Sequence, residues 1–71
     1  MPNGKVYRKT EIVGTSNKSM EEAITTALER AQRTLRNVQW FEVTEQRGAV
    51  VDGQIEFQIT LEIGFELEER T

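Results

Sequence analysis

The 71-residue chain contains neither cysteine nor histidine. Disulfides and thiolate metal sites are therefore excluded, and with them the usual nucleophile–base arrangements. A carboxylate-only site for Mg²⁺ or Ca²⁺ is compatible with the composition, but EF-hand spacing is absent, and no metal site is expected. The glycine loop that cradles phosphate is missing too, because "IVGTSNKS" lacks the P-loop spacing. No stretch is long and apolar enough to span a bilayer, and "MPNGKVYRKTEI" has no apolar signal-peptide core. The cytoplasm is the expected compartment. Basic charge is the scarcer sign, with 9 Lys and Arg against 12 Asp and Glu and a net charge of −3. That balance argues against non-specific binding to nucleic acid or to an anionic membrane.

A chain this short is read as one domain, residues 1–71. A core of this size rarely stabilises a monomer by more than ~3–5 kcal/mol. With disulfides and thiolate metals unavailable, association is the expected remedy.

Four elements are expected. "KVYRKTEIVGT" predicts a first strand from about Lys5 to Val13, ended by Gly14. Ser19 and Glu22 fit a reciprocal capping box, and Glu21 and Glu22 suit the positive end of a helix. Ala23, Ile24, Ala27, Leu28, Ala31 and Leu35 then form an apolar stripe, which predicts a helix over about 20–36. Glu29 and Arg33 are spaced as an i,i+4 pair, and Asn37 is a plausible left-handed stop. A second strand is expected over about 38–47, broken by Gly48. Asp52-Gly53 marks a turn, with a bulge possible in the loop before it.

The third strand is the clearest. Ile55, Phe57, Ile59, Leu61, Ile63, Phe65 and Leu67 alternate with polar residues and Gly64. Such a strand spans ~40 Å, whereas the helix is ~25 Å long. Its far end needs another cover, most simply a second copy of the chain. The expected fold is α+β: β-α-β-β, with a three-stranded antiparallel sheet in order 1-3-2 packed on one helix.

In "NVQWFEVTEQRG" the lone tryptophan stands on the polar side of its strand. Period-2 reading groups Trp40 with Glu42, Thr44 and Gln46, and points Phe41 and Val43 the other way. Trp40 either fills a subunit contact or offers its face to a flat ligand, where stacking is worth roughly 1–3 kcal/mol per ring. Gln58, on the polar face of the third strand, could read a ring edge, because an amide offers a donor and an acceptor. Arg47 is the best anion candidate, since guanidinium matches phosphate geometry. Glu56, Glu62, Glu66 and Glu68 form a period-2 row, most simply a solvated face. No catalytic residue is expected: acid–base work needs a defined pair in a tuned pocket.

The stretches "VYRKTEIVGTS", "EEAITTALERAQRTL", "WFEVTEQRG" and "FQITLEIGFELEE" carry a resemblance. From Val6 to Glu69 the chain resembles the dodecins, small flavin-binding proteins, and the bacterial type in particular. The resemblance implies the same four-element fold and a hollow homododecamer. It implies flavins held in pockets between subunits, stacked between two tryptophans. Trp40 then matches the stacking residue, Gln58 the residue that bonds the ring edge, and Arg47 an arginine near the flavin phosphate. The implied ligand is FMN, with riboflavin as an alternative and coenzyme A at a separate site. The implied role is flavin storage and protection against flavin photochemistry, without turnover. One position departs: the family's "GFRLE" is "GFELEE" here, so Glu66 replaces an arginine that contributes to phosphate contacts. The competing expectations are a structural oligomer without ligand and, more remotely, a small flavoenzyme. A nucleic-acid partner or a membrane is not expected.

Overall fold

The computed structural model describes residues 4–68. Strand β1 runs Tyr7–Ser16, helix α1 Met20–Thr34, strand β2 Val38–Val51 and strand β3 Gln54–Glu66. The sheet order is β1-β3-β2, and both pairings are antiparallel. This is the expected β-α-β-β fold with the most regular strand in the centre.

The core lies between α1 and one face of the sheet. Ala23, Ala27 and Ala31 recur every four residues and meet Ile59, Leu61 and Ile63, with Ile12, Ile24, Leu28, Leu35, Val38 and Val43 around them. Small residues on the helix let its backbone approach the strands. Gly14 completes that approach. It is buried on β1 opposite Ile59, and a Cβ there would collide with the Ala23 carbonyl oxygen and the Ala27 methyl. Gly14 therefore does not end the strand, as its sequence context suggests. It seats the helix, and β1 continues two residues further to Ser16. The strand also starts later than expected, at Tyr7.

The helix start is a variant of the expected capping box. The Ser19 Oγ accepts from the Glu22 amide at 3.0 Å, as a cap should. The return bond differs. The Glu22 carboxylate accepts from the Ser16 hydroxyl at 2.6 Å. The Ser16 Oγ in turn accepts from the Lys18 amide at 2.9 Å and the Ser19 amide at 3.4 Å. Ser16 thus serves the amide that Glu22 was expected to reach. The helix ends at Thr34, two residues short of the predicted end, and Leu35 donates back to the Ala31 carbonyl at 2.8 Å. Asn37 adopts the expected left-handed conformation, φ 64°. Among the described residues the ion pairs are Lys9–Glu62 at 3.2 Å and Arg36–Glu68 at 3.9 Å, so Glu29–Arg33 is not one of them.

Strand β2 passes through Gly48 without a break and reaches Val51. The chain reverses at Asp52 (φ 51°) and Gly53 (φ 78°), the positive-φ pair of a two-residue hairpin turn. Ala49, Val50 and Val51 are therefore strand and not loop. The register breaks lie elsewhere: an extra residue is accommodated between Val38 and Trp40, and another between Val43 and Glu45. These are β-bulges at Gln39 and Thr44.

The second bulge changes the phase of the strand. Trp40 pairs with Gly64 and Glu42 with Glu62, but beyond Thr44 it is Glu45 that pairs with Thr60 and Arg47 with Gln58. Directly paired residues share a face. Arg47 thereby joins Trp40, and Gln46, paired with the buried Ile59, moves to the helix side. The expected grouping of Trp40 with Gln46 is corrected by one inserted residue.

Helix α1, 15 residues long, covers about 22 Å. The 13 residues of β3 extend about 43 Å. The hairpin end of the sheet therefore projects past the helix, leaving Val50 78% and Ile55 61% exposed. Among the described residues no helix is long and apolar enough to cross a membrane.

Candidate functional site

The sheet face opposite the helix carries Trp40, Arg47 and Gln58 together, as the pairing dictates. It has two chemically different ends. The aromatic end is built on β3 residues Gly64 and Glu66, which pair with Lys9 and Tyr7 on β1; Gly64 also pairs with Trp40 on β2. The polar end is built on Glu56 and Gln58, flanked by Thr15 on β1 and by Ala49 and Arg47 on β2.

At the aromatic end the Trp40 ring lies over Gly64. A Cβ on Gly64 would fall among the Cδ2, Cε2 and Cζ2 atoms of the indole. The glycine is the floor on which the ring rests. Tyr7 meets the ring edge-on, with centroids 5.0 Å apart and planes at 64°, a favoured aromatic geometry. Floor and edge are thus occupied by the chain itself, yet Trp40 keeps 40% of its surface open. Glu66 is half-buried on this face, opposite Tyr7 and two residues beyond Gly64.

At the polar end three side chains form a chain of hydrogen bonds. The Arg47 Nε donates to the Gln58 Oε1 at 2.6 Å. The Gln58 Nε2 donates to the Glu56 Oε1 at 3.0 Å. The bulge that brings Arg47 here is tied to β3 by the Thr44 hydroxyl, which donates to the Thr60 carbonyl at 3.4 Å. The Thr60 hydroxyl donates to Glu45 at 3.3 Å. Between the two ends lies a row of three carboxylates, Glu11, Glu62 and Glu42, one from each strand. Like charges placed opposite each other are destabilising, and Lys9 offsets part of that by its contact with Glu62 at 3.2 Å.

Every candidate from the sequence therefore lies on one face, but not at one point. Gln58 is six residues from Gly64 along β3, about 20 Å. Arg47 and Gln58 meet; Trp40 is remote from both within one chain. The dodecin family profile matches residues 6–68. This chain belongs to the dodecin family. It is 54% identical over 67 residues to the dodecin of Thermus thermophilus, covering 93% of this chain and 97% of the relative. It is also 36% identical over 63 residues to the calcium dodecin of Mycobacterium tuberculosis, covering 87% and 89% of the two chains. The dodecin of Streptomyces davaonensis superposes with a TM-score of 0.88 at 47% identity, over 94% of this chain and all of the other.

Three residues of this dodecin's face escape sequence reasoning. Gly64 interrupts an otherwise regular alternation, and a lone glycine inside a strand is the mark of a close approach. That signal was available. Tyr7 becomes visible only once the register sets β1 beside Gly64 and Trp40. Glu56 reads as one more solvated carboxylate until its bond to Gln58 is known.

Proposed function

We propose that this dodecin binds flavin between copies of itself and holds it without turnover. The observation that carries the reading is the open, pre-positioned face of Trp40 on the same sheet surface as the Arg47–Gln58 pair. The donor set fits a flat ring with a polar edge. Trp40 supplies an apolar platform, Gln58 a donor and an acceptor, and Arg47 a cation beside them. The separation of about 20 Å along β3 exceeds the reach of one fused ring system, so a ring stacked on Trp40 takes its edge contacts from Gln58 of a second copy. A second contact, on the helix side of the sheet, would cover the apolar hairpin end that α1 leaves bare, and two different contacts per chain support a closed homo-oligomer of the dodecameric kind the family resemblance implies.

Stacking and exclusion of water supply most of the affinity in this reading, Gln58 gives orientation, and Arg47 attracts phosphate. Bound flavin brings a light-absorbing, redox-active ring. The Trp40 indole would serve as an electron donor to the excited ring and take the electron back, returning it quickly to its ground state, which is the physical basis for protective storage. Glu66 stands on the face of Trp40 where the resemblance implies an arginine. A carboxylate there opposes a phosphate, which favours riboflavin, or FMN at reduced affinity.

Size-exclusion chromatography with light scattering and in-line absorbance, after incubation with FMN and separately with riboflavin, tests the reading. The expected result is a particle near twelve subunits carrying the flavin band, with its fluorescence strongly quenched. A particle of that size that takes up neither flavin would instead assign Trp40 to subunit packing. Flavin-dependent turnover with saturation kinetics would overturn storage in favour of a flavoenzyme.

A further inference from the structure

The side-chain amide of Gln58 has a problem that its neighbours solve. Its oxygen and nitrogen ends are nearly the same shape, so packing alone does not decide which way it faces. An amide that turns over exchanges its donor and its acceptor. An imide edge, such as the polar edge of a flavin ring, presents an acceptor, a donor and an acceptor in order. An amide of fixed sense pairs with the central N–H and with one chosen carbonyl; an amide free to turn over pairs with either. The sense of the amide therefore sets which way round the ring lies.

We infer that Glu56 is a positioning residue for this reading group, a role that rests on the flavin-binding function proposed above. Two groups of opposite capability hold the amide. The Arg47 Nε–H can only donate, and it takes the Gln58 Oε1 at 2.6 Å. The Glu56 carboxylate, when ionised, can only accept, and it takes the Gln58 Nε2 at 3.0 Å. Turning the amide over would set its NH₂ against a guanidinium and its carbonyl against a carboxylate. Both bonds are charge-assisted, the stronger kind. Each consumes one of the amide's two donors or two acceptor sites. One N–H and one lone pair remain, side by side and in fixed order, for a ligand. Glu56 is suited to the task by place: it lies on the same face of β3 as Gln58, two residues away and opposite Ala49, whose small side chain leaves the carboxylate room to turn toward Gln58.

The test is a double-mutant cycle read by fluorescence titration with riboflavin and with riboflavin methylated at the imide nitrogen. Glu56→Gln keeps size and removes the obligatory acceptor. The expected result is about a tenfold loss of riboflavin affinity, equivalent to ~1.4 kcal/mol, and a smaller discrimination against the methylated ring. In the Gln58→Ala background the same Glu56→Gln change should have no effect, since there is no amide left to hold. Thermal unfolding of each variant separates a loss of fold from a loss of reading. Equal losses in both backgrounds, or unchanged discrimination, would overturn the inference alone. Failure of the unaltered protein to bind riboflavin would overturn the flavin reading itself and this inference with it.

Discussion

Gly64→Ala is a one-methyl perturbation aimed at the floor of Trp40. The added Cβ would lie inside the indole, against the three atoms Cδ2, Cε2 and Cζ2. Non-bonded carbons settle at ~3.5–4.0 Å, so the ring must lift by roughly 1–2 Å. Lifting it spoils the edge-on contact with Tyr7, now at 5.0 Å, a pair worth about 0.5–1.5 kcal/mol. In the proposed shared site it would also move the platform relative to Gln58 of a second copy, which puts at risk a stacking contribution of about 1–3 kcal/mol. The strand itself should not suffer, because alanine is less costly than glycine in a strand interior by ~0.5–1 kcal/mol. The expected outcome is a riboflavin dissociation constant raised by about 5- to 150-fold, at 1.4 kcal/mol per decade, with little change in the thermal midpoint. Titration of flavin fluorescence gives the first quantity and circular dichroism the second. Unaltered affinity together with unaltered Trp40 emission would refute the reasoning, because a ring resting on Gly64 cannot ignore a methyl in its place.

Two further substitutions probe separate parts of the molecule. Gly14→Ala drives a methyl into the Ala23 carbonyl and the Ala27 side chain; it should lift α1 from the sheet and cost about 1–3 kcal/mol of stability, measured by denaturant unfolding. Glu66→Arg should move the FMN-to-riboflavin affinity ratio toward FMN by roughly three- to tenfold at physiological salt, with the effect shrinking as salt is added; a ratio that does not move would place Glu66 away from the phosphate.

The fold was legible because β3 alternates so cleanly. Its apolar residues from Ile55 to Phe65 fall on one face, buried at Ile59, Leu61 and Ile63, and the alanine-rich stripe from Ala23 to Ala31 names the helix that covers those three. The glycines were harder. Gly14 and Gly48 both looked like breaks, yet both lie inside strands. Gly14 marks contact with the helix and Gly64 contact with an indole, and a glycine's sequence neighbours do not distinguish a chain that turns from a chain that something else presses upon. Trp40, Arg47 and Gln58 were each identifiable by chemistry. Their common face was not, because strict alternation puts Trp40 and Arg47, seven residues apart, on opposite sides. Only the pairing with β3 reveals the inserted residue that reconciles them. Ser16 was missed for a related reason: its role depends on Glu22 across a turn, a contact that a capping box within the helix would not require.

The bulge at Thr44 also gives β2 something like a reading frame with one spare letter. Faces in this strand are assigned by what each residue meets on β3, and Val43 meets Leu61 while Glu45 already meets Thr60. Thr44 occupies no rung. Deleting it would join Val43 to Glu45 in unbroken alternation, and Trp40, Phe41, Arg47 and Gly48 would all keep the sides they have now. One more residue at the same place would need a wider bulge or throw everything beyond it out of frame. Shortening the strand here should therefore leave flavin affinity nearly intact, whereas lengthening it should turn Arg47 toward the helix side and abolish its bond to Gln58.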